Sequence, residues 1–116
     1  MKKRHLVISV VFLLSCLWGC KRQLARQDCV GSYVYVNASG KQPANLIVNE
    51  DGTYTSSLIL RDRPSLVVPG GQWKFDIVGS YTQVALGRSS FPVERHGKFI
   101  RITIDDDLGE WFEKGD

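Results

Sequence analysis

Gln72-Trp73-Lys74-Phe75-Asp76-Ile77 sets an apolar side chain at every second position, with a polar one before each. In an extended chain, side chains alternate between two faces, so this rhythm predicts a strand with one side buried and the other in water. Ile100-Arg101-Ile102-Thr103-Ile104 repeats it. Looser versions run over 30–36, 44–49, 53–60, 81–86, 91–95 and 110–114, which makes about eight strands.

Between these segments lie Asn37-Ala38-Ser39-Gly40, Glu50-Asp51-Gly52, Gly79-Ser80, Gly87-Arg88-Ser89-Ser90 and His96-Gly97. Such residues adopt turn conformations readily, and connections this short join antiparallel neighbours. No stretch after residue 29 spaces its apolar residues by three and four, so the crossover helices of a parallel sheet are missing. The expected fold is all-β: a small antiparallel meander closed into a barrel or a strongly bent sheet, since closure removes exposed edges. With fewer than ~90 ordered residues, Tyr, Trp, Phe and Ile side chains should fill the interior. Pro92 has no N–H to give a ladder, which predicts an edge or a bulge for the strand at 91–95.

Upstream the pattern is different. Met1-Lys2-Lys3-Arg4-His5 is basic and 6–18 is an apolar run, followed by Gly19 and Cys20. The run is shorter than the ~20 residues that span a bilayer, so residues 1–19 are expected to be a secretory signal peptide. Leu17-Trp18-Gly19-Cys20 resembles a lipobox, which implies lipid attachment at Cys20; Leu13-Leu14-Ser15-Cys16 is the alternative. Residues 20–28 then form a basic tether and 29–116 the barrel domain. Lys21 to Gln27 reach at most ~25 Å at ~3.5 Å per residue, which keeps the domain near a membrane whose anionic head groups Lys21, Arg22 and Arg26 can meet. Lipoproteins of the inner membrane resemble one another in an acidic residue after the lipidated cysteine; Lys21 departs from that and favours the outer membrane. If Cys20 carries the lipid, Cys29 is the free thiol, buried at a strand start or paired between molecules; if Cys16 does, Cys20 and Cys29 can pair.

The formal charge of +3 disappears beyond residue 5: without Lys2, Lys3 and Arg4, twelve Lys and Arg face twelve Asp and Glu. A nucleic-acid footprint is therefore not expected.

Gly31-Ser32-Tyr33, then Leu46-Ile47-Val48 running into Asp51-Gly52-Thr53-Tyr54, then Gly71-Gln72-Trp73, resembles the small lipocalin-like barrels of exported bacterial proteins. The resemblance covers residues 30–114 and implies a scaffold for binding a ligand or partner, with no single chemistry attached. The Cys-x-x-Cys of copper-response lipoproteins with related architecture is absent.

Catalysis needs a base, a nucleophile and an orienting group. His96 sits in a hairpin tip, and Ser89 and Ser90 lack the strand-turn-helix setting of a nucleophile elbow, so the chain is expected not to be an enzyme and nothing in it asks for a cofactor. Asp105-Asp106-Asp107 with Gly109 and Glu110 matches a calcium loop only loosely and reads as a solvated acidic turn.

The segment 61–71, Arg-Asp-Arg-Pro-Ser-Leu-Val-Val-Pro-Gly-Gly, is longer than a hairpin turn and carries three consecutive apolar residues. Either Leu66, Val67 and Val68 fold inward to close one end of the barrel, or they face water and form a partner site rimmed by Arg61 and Arg63 with Trp73 anchoring it from below. The leading expectation is a membrane-anchored binding or interaction module for an envelope protein. The alternative is a carrier of a small apolar ligand in the barrel mouth, which needs a cavity of ~300 Å³ or more.

Overall fold

The computed structural model describes residues 23–115. The signal peptide expected over 1–19 and the lipid site at Cys20, with its alternative at Cys16, lie outside the described residues. Within them, eight strands follow a short 3-10 helix, Arg26–Cys29: β1 (Gly31–Asn37), β2 (Gly40–Val48), β3 (Thr53–Ser56), β4 (Gly70–Val78), β5 (Tyr81–Leu86), β6 (Ser89–His96), β7 (Phe99–Asp105) and β8 (Glu110–Gly115). Each pairs antiparallel with the next, and β8 pairs back to β1 through Val34 opposite Glu113 and Val36 opposite Trp111. The result is a closed all-β barrel.

Alternation explains the closure. Tyr33 and Tyr35 of β1, Leu46 and Val48 of β2, Phe91 and Val93 of β6, and Ile100, Ile102 and Ile104 of β7 all turn inward. They meet Tyr54, Trp73, Val84, Leu86 and Phe112 in one continuous apolar cluster to which every strand contributes. Tyr35 and Phe112 stack edge to face with centroids 5.9 Å apart. Burying each aliphatic side chain of this cluster stabilises the fold by about 1.5–3 kcal/mol.

Three local departures have physical causes. β3 ends at Ser56, where residues 53–60 predict a longer strand, because the Ser56 N–H donates to the Pro69 carbonyl at 2.7 Å and Pro69 has no N–H to return. Pro92 does not sit at an edge or a bulge. β6 is flanked on both sides, and Pro92 falls where its pairing passes from β5, which ends at Gln83 opposite Pro92, to β7, which begins at Val93 opposite Ile102. The missing N–H thus falls at a change of partner. Register shifts occur instead in β1–β2, between Val34 and Val36 opposite the stretch containing Pro43, and in β7–β8, between Thr103 and Asp105.

The third departure concerns the opening motif. Trp73 is buried and Phe75 half-buried, but Ile77 is exposed. β3 pairs only with Gly70 to Gln72 of β4, so the β4–β5 hairpin runs past its neighbour on that side and Ile77 has no interior to face.

Because the strands alternate in direction, the connections sort to two ends. The root end holds the start of β1, the turns 49–52, 79–80 and 97–98, and the end of β8. The crown end holds the turns 38–39, 87–88 and 106–109 and the long loop 57–69. Leu24, expected in the tether, is buried in the apolar cluster beside Cys29, and the short helix that carries Cys29 closes the root. Arg26 holds it there, stacking 4.5 Å from the centre of the Trp73 ring and donating to the Glu50 carbonyl at 3.0 Å.

Candidate functional site

The residues singled out in the sequence are divided between the two ends. Trp73 lies at the root, where its indole N–H donates to the Asn49 carbonyl at 2.7 Å and Arg26 covers its ring. Its partner across the β4–β5 ladder is Leu86, which lines the cleft beside Val68. The other five stand in the loop 57–69, and they do different work.

Leu58 and Val67 insert into the core, with Leu60 and Leu66 packed half-buried beside them. Inward closure thus holds for Val67 and in part for Leu66, whereas Val68 stays exposed. Arg63 is not a free rim charge. Its guanidinium reaches Glu110 at 2.7 Å, Asp105 at 3.3 Å and Asp62 at 3.4 Å, which pins the loop to the start of β8. Glu110 is 6% exposed, and the Tyr35 hydroxyl donates to its second oxygen. A carboxylate between a phenol and a guanidinium has its lone pairs satisfied, which is the condition for burying it without large cost. Burial, and then the bond to Glu110, push the Tyr35 phenol well above its ordinary range, and the same carboxylate raises the Arg63 guanidinium.

With Arg63 and Val67 committed to structure, the exposed residues of this loop include the apolar Ile59 and Val68, the first 79% exposed, and the charged Arg61 and Asp62, along with Ser57, Pro64, Ser65 and Pro69. Ile59 was not anticipated. The inward positions Tyr54, Ser56, Leu58 and Leu60 keep a period of two past the end of β3, and this alternation leaves Ile59 facing outward inside an apolar run. Beside Val68 opens a cleft of about 400 Å³, lined by Ser65, Val68, Leu86, Gly87 and Arg88. Gly87 has a positive φ of 65°, and a Cβ there would come within 3.2 Å of the Tyr54 hydroxyl and 3.5 Å of Val68. Glycine therefore lets the β5–β6 turn lie directly against both. The Tyr54 hydroxyl below is buried without a hydrogen-bond partner, and burial raises its pKa.

The remaining polar candidates are occupied elsewhere. His96 is exposed at the root with Nε2 3.1 Å from Glu94. Cys29 is buried, its thiol pushed up to about 11 chiefly by burial and then by Asp28, and its carbonyl accepts from the Tyr33 hydroxyl at 2.6 Å. Asp105 of the acidic turn pairs with Arg63 and accepts the Leu108 N–H. Among the described residues no group of three or more His, Cys, Asp and Glu is placed to hold a metal ion.

Compared with known proteins, the chain matches no family model, no curated sequence and no solved structure.

Proposed function

We propose that this chain is a membrane-anchored lipoprotein of the bacterial cell envelope, cut after residue 19 and lipidated at Cys20, whose crown end is a binding surface for a partner protein. One observation carries the reading: Ile59, Arg61 and Val68 face water from a loop that is itself fixed by Leu58 and Val67 in the core and by Arg63 on Glu110. Apolar groups held rigidly in water with a charge beside them are the make-up of an interaction patch, because little conformational entropy is lost when a partner covers them. The eight-stranded up-and-down meander supports the lipocalin-like resemblance of the Gly31-Ser32-Tyr33 and Gly71-Gln72-Trp73 segments. Binding rather than catalysis is favoured by the polar groups, since the strongest of them, Arg63, Glu110 and Tyr35, bond to one another. Lys21 after the lipidated cysteine argues for the outer membrane where the cell has one.

The carrier reading keeps one specific support, the cleft beside Val68, which exceeds the ~300 Å³ that a small ligand needs.

Photo-crosslinking in intact envelopes tests the proposal. A photoreactive residue at position 59 should give one discrete protein adduct that Arg61→Glu abolishes, while the same residue at position 47, exposed on the barrel wall, should give none. Equal adducts at 59 and 47 would refute a crown-end partner.

A further inference from the structure

The root end carries a feature that partner binding at the crown leaves unused. Tyr81 is 70% exposed, Ile77 52%, Val78 48% and Phe99 42%. Ile77, Val78 and Tyr81 form the tip of the β4–β5 hairpin, with Val78 paired to Tyr81 and Ile77 to Thr82 across Gly79-Ser80. Phe99 closes the next root turn, paired to His96 across Gly97-Lys98. Nothing lies within 4 Å of where a Cβ would stand at Gly79 or Gly97, so both tips project into open space.

Their position relative to the chain gives them an occupant. The N-terminal segment joins the barrel at this same end, and Leu24 is already buried in the core, so the folded unit starts there. Only Lys21, Arg22 and Gln23 separate it from Cys20, a reach of ~10 Å at ~3.5 Å per residue. An anchor at Cys20 thus brings the root, not the wall or the crown, against the lipid.

We infer that the root end docks on the phospholipid surface, with the Ile77-Val78 and Tyr81 tip and Phe99 entering the head-group region; this rests on the lipid-anchor reading. The side chains suit that depth: a tyrosine and a phenylalanine with two aliphatic neighbours bury apolar area while the tyrosine hydroxyl stays among head groups. Lys98 beside Phe99, with Lys21 and Arg22 in the tether, meets lipid phosphates; of the acidic side chains at this end, Asp76 and Glu94 stand one or more residues back from the tips, and Glu50 and Asp51 lie in the separate turn 49–52. Two contacts, a lipid chain and a pair of hairpin tips, fix an orientation that a lipid chain alone leaves free. The crown is then directed away from the membrane.

The test uses the full-length lipidated protein in vesicles of phosphatidylethanolamine and phosphatidylglycerol, a fraction of which carries a nitroxide quencher near the head group. Tyr81→Trp and, for comparison, Ile59→Trp add one tryptophan at each end. The expected result is that both variants float with the vesicles, that the emission added at 81 shifts to the blue and loses most of its intensity to the quencher, and that the emission added at 59 does neither. Ile77→Asp combined with Phe99→Asp, both at exposed positions, should abolish quenching at 81 while flotation persists. Flotation without quenching at 81, or equal quenching at 59 and 81, overturns the docking and leaves the anchor standing. Failure to float refutes the anchor, and the docking with it.

Discussion

At the root, the stopper is the chain's own leading segment: Leu24 and Cys29 enter the apolar cluster, and the Tyr33 hydroxyl ties the Cys29 carbonyl to the strand that follows. At the crown, the stopper is an internal loop of which only some residues reach the core, and a partly buried ion pair between residues 47 positions apart holds the rest. One end is closed by packing that is contiguous in sequence; the other depends on a long-range polar contact. The first closure is mainly apolar burial, with the Arg26 guanidinium on the Trp73 ring and the Glu50 carbonyl holding its outer edge. The second is only as good as its geometry, because each charge is costly without the other. That difference makes the crown the end whose closure a single substitution can release.

The largest expected effect breaks the crown. Arg63→Ala leaves Glu110 buried with the Tyr35 hydroxyl as its remaining side-chain partner and should destabilise the protein by about 3 kcal/mol. Arg63→Lys should recover part of this, because a single ammonium cannot bridge Asp105 and Glu110 as the guanidinium fork does. Denaturant unfolding measures the loss, and amide exchange locates it. Exchange should quicken across 57–69 well before the root turns change; uniform quickening would mean that the two ends are not separate units.

How far these ends were legible in the sequence follows from the range of the contacts. The strand at 81–86 is bounded by Ser80 and Gly87, and its period-two rhythm gave β5 to the residue. Closure and strand order followed from short turns for the same local reason. Arg63 and Arg61, however, look alike in sequence. Only the return of β8 after 47 residues places Glu110 under one of them, and no local rule sees that pairing. Trp73 was read with the loop it follows, but its partners are Asn49 and Arg26, 24 and 47 positions earlier. Ile77 failed for a related reason. Alternation tells which face a side chain takes but not whether a barrel wall still stands opposite it.

A smaller effect separates the ends by pH. An unfolded cysteine ionises near 9.0 and the Cys29 thiol in the fold near 11, so between those values the folded state holds more protons. Stability should therefore fall as pH rises from 9 towards 11, by about 2 kcal/mol over the interval. Tyr33 adds to the fall, being held above its ordinary range by burial, and Tyr35 acts in the same direction at the crown. Cys29→Ala isolates the root contribution: it should flatten the curve most clearly as pH rises to 9.0, where an unfolded cysteine is half ionised and unfolded tyrosines, with a value of 10.0, have barely begun to ionise. A slope there that is unchanged in the variant would show that the thiol is not the group responsible.

The smallest expected change is also the sharpest probe of the crown cleft. The Tyr54 hydroxyl is buried with no hydrogen-bond partner, beneath Gly87 and beside Val68, so the free protein bears its desolvation with nothing in return. Tyr54→Phe removes that hydroxyl while keeping the ring among Gly71, Gly87 and Val68. Without ligand, the variant should be as stable as the parent or more stable by about 1 kcal/mol, read from the denaturation midpoint. A destabilisation of similar size would reveal an unseen partner for the hydroxyl, such as an ordered water. Dye displacement from the cleft then divides the two readings of the crown: affinity for a small apolar probe that is lost in Ser65→Trp, whose side chain would fill the cleft, favours a carrier. Binding of no probe by either form removes the carrier reading of the cleft.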